Sequence, residues 1–145
     1  MNVKTIAVSL IGAWLALLVA GSAHAADWRT LSDEDGMQVY LDEGSVKHHG
    51  SSTRVTVMRN HALTQTLGDD WYLHRSQMVR YELACDSGKA SMKSWAFRAG
   101  ELGSGATVWE ERNQWAMPAK AADETLEHAL IARLCDSSLA ASQDR

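Results

Sequence analysis

The sequence predicts an α+β domain: a six-stranded antiparallel meander with a C-terminal helix on one face and one disulfide. Three observations carry this expectation. Val79-Arg80-Tyr81-Glu82-Leu83-Ala84-Cys85 alternates apolar and polar residues with the two-residue period of a half-buried strand. The turn residues Asp86-Ser87-Gly88 then lead into a second strand, Ser91 to Ala99, which makes a β-hairpin. Near the other end, Leu126, Leu130 and Leu134 recur every four residues and form the apolar stripe of an amphipathic helix. The only two cysteines, Cys85 and Cys135, close these two elements. In an exported chain they are most simply one disulfide, pinning helix to sheet. Loop-entropy arguments value such a link at about 4 kcal/mol.

Residues 1–25 read as a secretory signal peptide. Lys4 gives a positive start, Thr5 to Ala20 is apolar and uncharged, and Ala23-His24-Ala25 is a small-residue cleavage site. Cleavage after Ala25 leaves one domain, Ala26 to Cys135, and a flexible tail from Asp136 to Arg145. No cysteine follows the apolar run, so a lipid-bearing thiol is not expected, and the mature chain is read as soluble and periplasmic or secreted.

Within the domain, Asp27 to Leu31 and Met37 to Leu41 form a first hairpin around the polar turn Ser32 to Gly36. Asp42 to Val46 suits a single helical turn, with Asp42 and Ser45 bonding nearby backbone. Lys47 to Ser52 is a turn, and Thr53 to Arg59 a strand rich in β-branched residues. His61 to Asp70 is the least patterned stretch and reads as a mobile loop. Trp71 restarts extended structure. Gly100 to Gly105 links the second hairpin to a sixth strand, Thr107 to Arg112, and Trp115 to Pro118 leads out of the sheet. Asp123 is the expected N-cap of a helix from Glu124 to Cys135, with Glu124 and Glu127 at its positive end and Arg133 at its negative end.

The formal charge of −4 lacks the basic footprint of a nucleic-acid-binding domain. Catalytic signatures are equally absent from the pattern. No Gly-x-Ser-x-Gly elbow occurs. The adjacent histidines His48-His49 diverge and make a poor chelating pair unless His61 or His74 folds back, so no metal is expected. A strand would send Glu110 and Glu111 to opposite faces, which prevents them from acting on one substrate. Gly100 to Gly105 lacks the lysine and following helix of a phosphate loop. No cofactor is expected.

Tryptophan is the one residue type that hints at a surface. Trp28, Trp71, Trp95, Trp109 and Trp115 lie in the mature chain, and at least two are expected in the core. Trp95 is the core candidate because it shares a strand face with Phe97. Trp109 and Trp115, if exposed, would make an aromatic patch of the kind enriched at protein interfaces.

The order of these landmarks resembles the surface-adhesin protein E family of Gram-negative bacteria. The resemblance rests on the signal peptide before Ala26-Asp27-Trp28, on Val39-Tyr40-Leu41-Asp42 with Ser45-Val46, on Tyr81-Glu82-Leu83 before Cys85, and on Leu134-Cys135. It spans about Ala26 to Cys135. It implies a six-stranded antiparallel sheet, a disulfide-tethered helix and a non-enzymatic role. The family's namesake is a surface lipoprotein that binds host matrix and serum proteins, whereas this sequence has no lipid-bearing cysteine. The expected function is therefore an exported protein-binding domain. The alternatives are a periplasmic structural or homodimerising envelope protein and, third, a small enzyme.

Overall fold

The computed structural model describes residues 26–69 and 72–142, with side-chain environments through Cys135. The signal-peptide reading, Trp71 and the last residues of the tail lie outside the described residues.

Among the described residues seven strands and one helix follow each other: β1 (Trp28–Glu34), β2 (Met37–His49), β3 (Ser52–Leu67), β4 (Tyr72–Ala84), β5 (Lys89–Arg98), β6 (Thr107–Arg112), β7 (Ala119–Lys120) and α1 (Leu126–Ser142). β1 to β6 form the expected antiparallel meander in sequence order. The short β7 was not foreseen; it pairs Lys120 with Lys89 and Ala119 with Ala90, beside the part of β5 that β6 does not cover. Cys85 and Cys135 are bonded, with their Cα atoms 5.3 Å apart.

The core lies between the sheet and α1. Val39, Leu41, Val55, Val57, Val79, Tyr81, Leu83 and Ala90 present one sheet face to Leu130, Leu134 and Cys135, with Leu126 and Ile131 partly buried beside them. Direct cross-strand pairs build this face: Leu41 with Val57, Val57 with Val79, and Val55 with Tyr81. The leucine stripe is thus the buried stripe, while Ala129 beside it is exposed.

Several local expectations are corrected. Asp42 to Val46 is not a helical turn but a bulge inside β2, where the register shifts between Asp42 and Lys47. The hydrogen bonding expected of its polar residues is present in this other shape. Asp42 Oδ1 accepts from the N–H groups of Gly44 and Asp27, and Ser45 Oγ accepts from Thr56 N–H. Lys47 to His49 belong to β2 rather than to a turn, which is confined to Gly50-Ser51. The stretch expected as a mobile loop continues β3 to Leu67, past a second irregularity between Asn60 and Gln65.

The helix begins at Leu126, not Glu124, and its N-cap is Thr125 rather than Asp123. Thr125 Oγ1 accepts from His128 N–H at 3.3 Å, the bond from the third helical residue that defines a cap. It also continues past Cys135 to Ser142, so Arg133 is not in the last turn and instead reaches Glu43 on β2 at 3.2 Å. Among the described residues no helix is long and apolar enough to cross a membrane.

Candidate functional site: an aromatic cleft beside the helix

The helix covers only part of its sheet face. Beyond its N-terminal end, the next positions on β5 and β6 are aromatic. Phe97 is paired with Trp109, and Trp95 with Glu111, so all four side chains share the face on which α1 lies. Leu67 and Gly68 at the end of β3, and Tyr72 opposite Leu67 on β4, wall the other side. Together these residues line an apolar cleft of about 320 Å³ whose one charged lining residue, among the described residues, is Glu111.

Floor and walls differ in burial. Phe97 is buried, and its ring meets His74 edge-on with centroids 4.6 Å apart. Tyr72 and Trp109 tilt towards each other at 5.9 Å and remain 38% and 43% exposed. An edge-on or tilted ring contact of this kind adds about 0.5–1.5 kcal/mol beyond area burial. Trp109 is therefore held in place yet accessible.

Behind the cleft, His74 also meets the ring of His61 at 5.9 Å, and its Nδ1 is buried without a hydrogen-bond partner among the described residues. Burial, then the neighbouring His74 and Arg59, pull the His61 pKa below the usual histidine range, which favours its neutral form. No group of three or more His, Cys, Asp or Glu side chains converges in metal-binding geometry among the described residues. His48, one of the adjacent pair, has its Nδ1 2.9 Å from Thr53 Oγ1.

The two tryptophans expected to form one patch are separated. Trp109 lies in the cleft, while Trp115 is 82% exposed after β6, outside that cleft. Trp95, the core candidate, is only partly buried against the core cluster. None of the described tryptophans is fully buried, contrary to the expectation of two in the core; Tyr81 and the aliphatic side chains fill that volume. Glu110 and Glu111 do point to opposite faces, Glu110 towards Arg112 and Glu111 into the cleft. Leu67 was missed because it reaches the cleft from a segment read as loop, and Tyr72 because it opens the strand after that segment, where no register could be read. The Phe97–Trp109 pair was not readable either, because the connection across residues 99–106 is long and the register shifts between Phe97 and Arg98.

A model of the surface-adhesin protein E family matches residues 28–136. The chain is also similar to solved structures of one protein. A crystal structure of protein E from non-typeable Haemophilus influenzae superposes with a TM-score of 0.62 at 13% identity, over 83% of this chain and 82% of that one. A second structure of Haemophilus influenzae protein E gives 0.58 at 13% identity, over 76% and 84%. At such identity the structural likeness speaks for the fold. No curated protein matches the sequence.

Proposed function

Because this chain belongs to the surface-adhesin protein E family, we propose that it is an exported, non-enzymatic protein-binding domain whose contact surface is the cleft around Trp109. The reading takes residues 1–25 as a cleaved signal peptide and places the folded domain in the periplasm or outside the cell. The observation that carries it is the accessible aromatic wall of Tyr72 and Trp109 over a buried Phe97 floor. Protein interfaces concentrate binding energy in aromatic side chains that become fully desolvated on contact with the partner. The Glu111 carboxylate at the rim selects an apolar anchor flanked by a lysine or arginine on the partner. That partner is an extracellular-matrix or envelope protein, as the family's name suggests.

The test is a Trp109→Ala variant assayed against immobilised matrix proteins and envelope extracts. Removing an aromatic anchor costs at least about 2 kcal/mol, or roughly thirty-fold in affinity. The melting temperature should fall by only about 2–7 °C, the cost of losing the Tyr72 ring contact. Unchanged binding with intact folding would reject the cleft as the contact surface. A large stability loss would make Trp109 a structural residue instead.

A further inference from the structure

The sheet face turned away from α1 carries a second feature that the cleft leaves unexplained. Lys47 on β2 is paired with Arg54 on β3, and Arg54 with Glu82 on β4. In the adjacent row Thr56 is paired with Arg80, Arg80 with Ser94, and Ser94 with Arg112 on β6. Lys93, at the irregularity between β4 and β5, donates to the carbonyls of Gln114 and Ala116 and comes within 3.9 Å of Glu82. Consecutive strands β2 to β6 thus contribute one cation each: Lys47, Arg54, Arg80, Lys93 and Arg112. With strands about 4.8 Å apart, the series crosses roughly 19 Å of sheet.

Two neighbouring depressions follow this series. One, of about 560 Å³, contains Lys47, Arg54 and Arg80; the other, of about 370 Å³, contains Arg54, Arg80, Lys93 and Arg112. Arg54 and Arg80 line both and form the saddle between them. Three carboxylates lie along the series, apart from Asp33 and Glu101, which border a separate depression with Arg75 on the same face. Asp42 is occupied by two backbone N–H groups, Glu82 lies between Arg54 and Lys93, and Glu110 holds Arg112. Among the described residues no ion pair engages Arg80 or Lys47. The face therefore has a cationic excess on a chain whose formal charge is −4.

We propose that this face binds a linear sulfated polysaccharide laid across the strands. Guanidinium groups match the paired oxygens of a sulfate in a two-point contact. The Thr56 and Ser94 hydroxyls, set in the same row as Arg80, suit the hydroxyls of a sugar backbone. The cations run along a line of depressions rather than over a protruding plane, which is the shape for a polymer chain and not for a bilayer surface.

Heparin serves as the probe, with binding of the oxidised protein measured by titration and by retention on heparin resin at 0.15 M salt, roughly physiological. Arg80→Glu and Arg54→Glu should each weaken binding by roughly ten-fold or more, the worth of a charge-assisted contact. Arg29→Glu makes the same charge change on the helix-side face and should leave heparin binding near the parent value. Lys47→Glu and Arg112→Glu, at the exposed ends of the series, give the same readout should a central variant misfold. Absence of heparin binding by the parent protein would overturn the proposal, as would equal losses from Arg29→Glu. Equally tight, Arg80-dependent binding to phosphatidylglycerol vesicles would also overturn it, in favour of a membrane-facing surface. Because the Trp109 assay reads a different face and a different ligand, failure of one site leaves the other intact.

Discussion

Tyr81 joins the sheet to the helix through its hydroxyl. The ring is fully buried in the core, Arg59 Nη2 donates to its oxygen at 3.3 Å, and its O–H donates to Glu127 on the first turn of α1. Burial is the largest influence on its ionisation, opposed by Arg59 and reinforced by Glu127, and the pKa is raised to about 12. The consequence for stability has a definite sign. An unfolded tyrosine ionises near pH 10 while the folded one keeps its proton, so between pH 10 and 12 the unfolded state binds fewer protons and stability falls as pH rises. The contribution is fully present below pH 10. The rise from 10 to about 12 is worth at most about 3 kcal/mol. Absorbance titration at alkaline pH should show a late tyrosine ionisation, near pH 12. Tyr81→Phe should abolish that late step and flatten the alkaline loss of stability. Absence of a late ionisation in the folded protein would contradict the buried hydroxyl.

At the scale of elements, the connection between β5 and β6 matters more than its glycine-rich composition suggests. It folds over the sheet face opposite α1 and is fastened by two side chains there. Asn60 Oδ1 accepts from Leu102 N–H at 2.7 Å; Ser76 Oγ accepts from Gly103 N–H at 2.9 Å and donates to the Gly100 carbonyl at 2.7 Å. Gly103 has φ of 75°, which a side chain rarely adopts, and a Cβ there would also meet the sulfurs of Met58 and Met78. This cover explains why Met58 is buried although it faces away from the helix. Ser76→Ala leaves Gly103 N–H without its acceptor beneath the loop and should cost about 1–3 kcal/mol in urea unfolding. A change below about 0.5 kcal/mol would mean that the loop is held by its own internal bonds. The sequence showed a glycine-rich connection here but not its anchors, because Asn60 and Ser76 lie on other strands. The missed half of the β3–β4 hairpin has a related cause. From Ala62 to Thr66 β3 is exposed on both faces, so no apolar alternation is needed to form it and none appears. The strands that were legible, such as Val79 to Cys85, are those with one face against the helix.

For the whole molecule, the question is what keeps α1 on the sheet, since both proposed surfaces depend on that arrangement. Cys85 and Cys135 were legible as a pair because export chemistry and the ends of two packed elements pointed to the same bond. The cation series was not, because its five members come from five strands and become neighbours only through register. The helix is held by the leucine stripe, by Arg133 to Glu43, by Glu127 to Tyr81 and by the disulfide. The surface ion pair contributes little, on the order of 0–1 kcal/mol. The cross-link closes a span of 50 positions and contributes about 4 kcal/mol by loop entropy, a large share of the roughly 5–15 kcal/mol typical of a domain. Replacing both cysteines by alanine should therefore lower the melting temperature by roughly 12–20 °C. The same variant separates two kinds of dependence. If α1 leaves a persisting sheet, Tyr81 loses Glu127 and its cover, and its late alkaline step disappears at temperatures where strand circular dichroism is intact. If helix and sheet melt together, the two signals coincide, which is the expected result because Val55, Val57, Val79 and Tyr81 have their apolar cover in α1. An unchanged melting temperature in the cysteine-free protein would show that the leucine stripe alone secures the helix.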